Sequence, residues 1–191
     1  MDNDQQQAII EFQSQLISWN KTHNLISKNQ AKNIKEHIDD SLLVGPHLSN
    51  DIVDLGSGGG LPGIPLAIAY PEKNIYLVES NTKKSAFLLN ATSRLNLGNT
   101  TVINKRLEDI DPADFPKSYD IVCRAVGSSS SIIEISKKHL EHGDVRLRLM
   151  KTLEQFDEEI IPDNYKVKEI HKFPSKAKDK THILVTIELE R

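Results

Sequence analysis

From residue 4 to residue 20 apolar side chains recur with a helical period: Ile9, Phe12, Leu16 and Trp19 stand at i, i+3, i+7 and i+10, flanked by Ile10 and Ile17. That spacing predicts an amphipathic helix buried along one stripe, which Ile10 and Ile17 widen. A second helical pattern runs from Lys32 to about Leu43 and stops before Gly45 and Pro46. The first fifty residues therefore read as a helical extension, with no linker composition after them. At Asp51 the period changes. Short β-rich runs at 52–55, 75–78, 101–104, 119–123 and 145–150 alternate with helical stretches at 64–69, 82–95 and 131–140. The helix at 82–95 is expected to stop at Gly98, and the one at 131–140 at His142 and Gly143. Such alternation predicts a parallel sheet wrapped by helices on both faces. The last two strand patterns, 165–170 and 183–189, are joined by the lysine-rich stretch HKFPSKAKDKTH without helical period, so they should pair antiparallel at one edge. The acidic run EQFDEE at 154–159 reads as a solvated helix face.

The pattern thus implies an α/β fold: a mostly parallel sheet with an antiparallel edge hairpin and an N-terminal helical extension. At 191 residues the chain has the length of one domain and can bury a core without disulfides or a metal. One domain over 1–191 is expected, with 1–50 as the extension and 51–191 as the core. The single cysteine, Cys123, lies inside an apolar strand and reads as a core thiol. With no leader pattern at the start, that cysteine usage suggests a reducing cytoplasm. No apolar run approaches the roughly 18 residues of a membrane span, so no membrane partner is expected. Nothing demands an oligomer, and a monomer is expected. The net charge of −3 places any nucleic-acid contact on local basic patches. The seven histidines show no metal-ligand spacing, and no metal is expected.

The chemistry concentrates in DLGSGGGLPG, Asp54 to Gly63, between the first strand and the helix after it. Bare backbone at that position lets a ligand approach the carboxyl end of the sheet. The loop fits two patterns. Gly58 to Gly63 satisfies the G-x-G-x-x-G dinucleotide fingerprint, while Asp54-x-Gly56-x-Gly58-x-Gly60 is the acidic glycine loop of methyltransferases that use S-adenosylmethionine. A carboxylate beside a doubly negative pyrophosphate repels it, whereas S-adenosylmethionine brings an ammonium and a sulfonium. Pro62 also lacks the N–H that a phosphate would take. Glu79 ends the second strand about 20 residues on, where a carboxylate can bind both ribose hydroxyls of either cofactor. Glu108, after the third strand, is a candidate for the adenine edge. A purely structural glycine turn is the third reading.

After the fourth strand the chain reads Arg124-Ala125-Val126-Gly127. The Asn/Asp-Pro-Pro-aromatic motif of exocyclic-amine methylation is absent, and Cys123 is badly placed for the covalent addition that C5 methylation of pyrimidines requires. An acceptor that is already nucleophilic, such as guanine N7, needs only positioning in line with the donor methyl. Arg124 is a natural guanidinium partner for guanine O6 and N7. Lys105, Arg106 and Lys151 form a candidate RNA-binding rim, and Lys172, Lys176, Lys178 and Lys180 a second patch on the final hairpin.

In order and spacing, Asn24-Leu25, His37-Ile38-Asp39-Asp40-Ser41, DLGSGGGLPGIPLAI, Arg106-Leu107-Glu108 and Arg124-Ala125 resemble the glucose-inhibited division protein B family. These are bacterial methyltransferases that make 7-methylguanosine in small-subunit (16S) ribosomal RNA. The resemblance spans nearly the whole chain. It implies a Rossmann-like methyltransferase fold, S-adenosylmethionine as donor and a guanine of the small-subunit RNA, free or in the 30S particle, as substrate. It also implies cofactor contacts at Gly56, Leu61, Leu107, Glu108 and Arg124. Arg124, Lys151, His37 and Asp40 are the candidates for shaping the reacting site, His37 and Asp40 from its floor. The chain departs from the family at Glu36 (usually arginine), Val126 (usually aromatic) and Thr152 (usually glycine). The alternatives are methylation of a small molecule or protein, and a module that binds S-adenosylmethionine or RNA without chemistry.

Overall fold

The structure, a computed structural model, describes residues 1–124, 127–174 and 181–190. The chain forms two compact units, Met1–Arg106 and Leu107–Arg191. The first opens on α1 (Asn3–His23), which starts at a reciprocal capping box: the Asp2 carboxylate accepts the Gln5 N–H at 2.8 Å, and Gln5 Oε1 accepts the Asp2 N–H at 3.0 Å. Phe12 and Leu16 are fully buried, and Trp19 packs on Phe87 at 5.5 Å between ring centroids. Ile10 and Ile17 do not widen the buried stripe as expected. They stand 60% and 36% exposed, because the contacts of α1 with α4 (Gly63–Ala69) and α5 (Thr82–Arg94) follow the seam of Phe12, Leu16 and Trp19 and leave them outside it.

The second predicted helix is present as α3 (Ile34–Val44), starting two residues later than expected, and a short helix that the pattern did not predict precedes it. Ser27 caps α2 (Lys28–Lys32) with a capping box to Gln30, and α3 follows after Asn33 turns to φ −111°, ψ 27°. Gln5 does a second job here. Its Nε2 donates to the Ile68 and Ala69 carbonyls at 3.0 and 3.3 Å, the last orphan acceptors of α4. Gln5→Ala should therefore lower unfolding stability by about 1–2 kcal/mol through loss of both roles. A urea midpoint that falls at constant slope is the expected reading, and an unchanged midpoint would contradict it.

Three parallel strands follow in the order β3-β2-β1: β1 (Asp51–Leu55), β2 (Asn74–Val78) and β3 (Thr100–Ile103). Ile52, Val53, Leu77 and Val78 are all buried, the near-continuous apolar run of a parallel sheet whose two faces are covered. α5 ends at Arg94, not towards Gly98, because Asn96 takes the left-handed turn (φ 52°) and the Leu97 N–H returns to the Thr92 carbonyl at 3.0 Å.

The second unit orders its strands β4-β5-β7-β6: β4 (Ser118–Arg124), β5 (Asp144–Thr152), β6 (Tyr165–Phe173) and β7 (His182–Leu189). β4 and β5 are parallel and joined through α6 (Ser129–His142); β7 runs antiparallel to β5, with β6 outside it. The predicted edge hairpin is thus present, and the fold class is the expected α/β with a mostly parallel sheet. The alternating VRLRL run of β5 is tolerated because β4 brings fully buried Asp120 beside its arginines. Asp120 accepts from Arg146 Nε at 2.9 Å and pairs with Arg148 Nε at 3.3 Å. Cys123 is buried, as its place in an apolar strand implies. Among the described residues no helix is long and apolar enough to cross a membrane, and no group of three or more His, Cys, Asp or Glu can hold a metal ion.

Candidate active site

The glycine loop leaves β1 and turns sharply, with Gly56, Gly58 and Gly60 at φ 70°, 54° and 84°. It is lashed to the end of β2: the Gly56 and Ser57 N–H groups donate to the Val78 carbonyl at 2.9 and 3.1 Å, and the Gly58 N–H to Glu79 Oε2 at 2.9 Å. The glycines serve different ends. A Cβ on Gly59 would meet Ile26 Cγ2 at 2.7 Å and Leu16 Cδ1 at 3.0 Å, and one on Gly63 would meet Leu77 Cδ2 at 2.2 Å and Asp54 Oδ2 at 2.5 Å. Gly60 packs against Ile64 in the same way. Gly58 differs, since its missing Cβ faces only the Gly56 carbonyl oxygen at 3.6 Å. Close packing explains Gly59, Gly60 and Gly63, and Gly58 keeps an open face at the carboxyl end of the strands.

Asp54 is buried to 1% exposure. Its Oδ2 accepts the Gly63 N–H at 3.0 Å, while Oδ1 is buried with no hydrogen-bond partner; the neighbouring Ser57 hydroxyl donates to the Asp54 carbonyl at 2.8 Å. Burial pushes the Asp54 carboxyl up to about 7; the Gly63 N–H and Ser57 oppose the rise and the charge of Glu79 adds to it. A buried acceptor left unmet at the end of β1 is an opening for a cationic or hydrogen-donating ligand group. The same contact answers the dinucleotide reading. The Gly63 N–H, first of α4, is taken by a carboxylate, and the Ile64 N–H is taken by the Gly60 carbonyl at 2.8 Å, so neither is left for a phosphate.

Glu79 is also buried, and its Oε1 accepts the Asn81 N–H at 2.7 Å. Two N–H donors fix the carboxylate and leave each oxygen a further lone pair for a ligand hydroxyl. Asn104 braces the same turn by donating to the Glu79 and Ser80 carbonyls at 2.8 and 3.1 Å. Leu61 is buried beside Pro62. Lys105 and Arg106 are exposed after β3, and His37 and Asp40 are half-buried on α3, with Glu36 exposed beside them.

In the second unit, Leu107 is buried and Glu108 exposed within one 3-10 turn (Leu107–Asp109), and Arg124 is half-buried at the end of β4. Lys151 is not a free member of a basic rim. Its Nζ donates to Glu159 Oε1 at 2.6 Å and to the Gly127 carbonyl at 3.0 Å, while Glu159 Oε2 accepts from the Ser129 N–H at 2.9 Å and from the Ser129 hydroxyl. Burial pushes the Glu159 carboxyl up, but these bonds from Lys151 and Ser129 outweigh it and hold it below the usual carboxylate range. The acidic run is therefore only partly solvated: α7 (Leu153–Asp157) buries Phe156, and Glu159 is engaged. Thr152, at a position where the resembling family usually has glycine, is the N-cap of α7, its hydroxyl accepting the Gln155 N–H. Lys172 is exposed near the end of β6, and Val126, Lys176, Lys178 and Lys180 lie outside the described residues.

The GidB family model, described as rRNA small subunit methyltransferase G, matches residues 5–183. The chain belongs to this family. A relative named ribosomal RNA small subunit methyltransferase G from Coxiella burnetii (strain RSA 331 / Henzerling II) is 43% identical over 141 residues, 72% of this chain and 68% of the relative. One of the same name from Xanthomonas campestris pv. campestris (strain 8004) is 33% identical over 190 residues, 98% of this chain and 88% of that one. A solved structure of M. capricolum TrmK with the cofactor product S-adenosylhomocysteine superposes with a TM-score of 0.56 at 18% identity, over 79% of this chain and 68% of that one, and shows the fold to be shared.

The structure of this GidB family chain also brings forward residues that sequence reasoning passed over. His139 on α6 is completely buried, with Nε2 at 3.1 Å from the Leu107 carbonyl and Nδ1 at 2.6 Å from the Tyr119 hydroxyl. Burial holds its imidazole below the ordinary histidine value, against the opposing pull of the Leu107 carbonyl. The signal was present in the sequence: His139 shares the helical spacing of buried Ile132, Ile133, Ser136 and Leu140. Ser129 and Glu159, thirty residues apart, carried no such mark.

Proposed function

We propose that this chain transfers a methyl group from S-adenosylmethionine to N7 of a guanine in small-subunit (16S) ribosomal RNA. Membership of the rRNA small subunit methyltransferase G family supports the reaction class and the RNA substrate. The observation that carries the cofactor is Asp54: one carboxylate oxygen closes the helix start to phosphate and the other, buried and unmet, suits a cation.

In this reading Asp54, Gly56, Gly58, Gly60 and Leu61 bind the methionine side of the cofactor, and Glu79 its ribose. The family resemblance carries Leu107, Glu108 and Arg124 to the same cofactor. When bound, S-adenosylmethionine supplies an electrophilic methyl on a sulfonium. Guanine N7 offers an unprotonated lone pair, so no protein base is required, and the chain's part is to orient donor and acceptor and exclude water. Lys105, Arg106, Lys172 and the hairpin lysines steer RNA backbone, and residues 1–191 act as one domain. The protein works as a monomer in the cytoplasm, on free RNA or on the 30S particle.

Thermal unfolding with S-adenosylhomocysteine and with NADH tests the cofactor. The homocysteine product should raise the melting temperature and NADH should not; stabilisation by NADH alone would overturn the reading. Methylation rates on naked 16S RNA and on 30S particles then separate the two substrate forms.

A further inference from the structure

We infer that His139 is a positioning residue for the cofactor turn: it holds the Leu107 carbonyl and thereby sets Glu108 without touching the cofactor. This rests on the reading that Leu107 and Glu108 contact the cofactor.

A lone 3-10 turn is weakly self-supporting, and Leu107–Asp109 is closed by the Ile110 N–H to the Leu107 carbonyl at 3.1 Å. Contacts from outside the turn add to this. Leu107 and Ile110 are buried at its two ends, with Glu108 and Asp109 exposed between them. Consecutive residues of α6 then take one carbonyl each: His139 Nε2 that of Leu107 at 3.1 Å, and Lys138 Nζ that of Ile110 at 3.4 Å. Glu108 thus projects from a turn gripped at both ends by one helix.

The histidine does more than fill space. A completely buried imidazole is unfavourable unless both nitrogens are bonded, and a leucine would occupy the volume without that requirement. Here both are bonded, and the two bonds fix the tautomer. The Leu107 carbonyl can only accept, so Nε2 carries the proton and donates to it, and Nδ1 of the neutral ring accepts from the Tyr119 hydroxyl. Tyr119 is rooted in β4 at 1% exposure, with the Phe115 ring tilted against it at 5.3 Å and against His139 at 5.7 Å between centroids. The chain of bonds therefore runs from the sheet through Tyr119 and His139 to the turn, and it selects the imidazole form that can hold a carbonyl.

Calorimetric titration with S-adenosylhomocysteine tests this on the full-length wild type and on Glu108→Ala, Tyr119→Phe, His139→Leu and His139→Gln, each with its melting temperature. His139→Leu should weaken binding about tenfold, the size of one lost hydrogen bond, and Tyr119→Phe about threefold. His139→Gln, whose Nε2 can still reach the carbonyl, should recover part of the loss. In turnover assays the effect should appear in the S-adenosylmethionine KM, with kcat at saturation kept. Wild-type affinity in His139→Leu, with only the melting temperature lowered, would overturn the proposal. Should His139→Leu fail to fold, Tyr119→Phe decides: unchanged affinity there would equally overturn it. If Glu108→Ala binds normally, the turn is not a cofactor site and the underlying reading fails; if Glu108→Ala is weak while His139→Leu is normal, only the positioning role fails.

Discussion

Glu79→Ala should weaken S-adenosylhomocysteine binding by about two orders of magnitude and leave a folded, less stable protein. The carboxylate accepts the Gly58 N–H through one oxygen and the Asn81 N–H through the other, so it ties the open glycine of the loop to the entrance of α5. Alanine orphans both donors next to a buried site, and each orphan of this kind costs about 1–3 kcal/mol. It also removes the proposed acceptor of the ribose hydroxyls, so binding suffers from a lost contact and from a loosened loop. Glu79→Gln separates the two, because it keeps an acceptor oxygen but turns an NH2 towards one of the donors; it should fall between wild type and alanine. Calorimetry reads both variants. Affinity within about threefold of wild type in Glu79→Ala would contradict the assignment of this carboxylate to the cofactor.

Asp54 should make the protein less stable as pH rises from about 4 to about 7. Burial lifts its carboxyl from 3.8 to about 7, so across that window the folded chain holds a proton that the unfolded chain has released. The proton's contribution is complete below the unfolded value and is lost as pH climbs through the folded one. Between those two values the loss amounts to about 4 kcal/mol. Glu159 works in the opposite direction, since its carboxyl is lowered and its contribution is lost on acidification. The difference between wild type and Asp54→Asn isolates the Asp54 slope. Urea unfolding at a series of pH values should show the wild type losing stability relative to Asp54→Asn as pH rises, and parallel profiles would contradict the buried state of this group. In the proposed cofactor complex the ligand ammonium favours the ionised carboxylate. Affinity for S-adenosylhomocysteine should then rise with pH through about 7 in wild type and stay flat in Asp54→Asn.

Local patterns carried most of the fold. Strands β1, β2 and β4 lie where continuous apolar runs place them, and the last two strands pair antiparallel as their helix-free connection required. The readings that failed depended on single backbone angles or on partners distant in sequence. Nothing in composition says that Asn96 rather than Gly98 takes the left-handed turn, since both residues suit it and the Leu97 to Thr92 bond decides. Nor does helical period reveal the short helix α2 before α3, or that the seam of α1 against α4 and α5 leaves Ile10 and Ile17 facing outward.

The site divides in the same way. Asp54, the glycines and Glu79 are legible because loop and strand end lie within 26 residues, and their spacing is a motif. The different tasks of the glycines are not, since they depend on Leu16, Ile26, Ile64 and Leu77 arriving from elsewhere. Lys151 reads as one more cation until β5 delivers it to Glu159, and His139 reads as a helix residue until Leu107 and Tyr119 meet its two nitrogens.

The central claim is transfer of a methyl group to guanine N7, and it is tested by incubating the purified protein with methyl-labelled S-adenosylmethionine and small ribosomal subunits from a strain lacking this modification, followed by digestion of the RNA to nucleosides. Label in 7-methylguanosine is the expected result. Label confined to another nucleoside, or none while S-adenosylhomocysteine still binds, would contradict it.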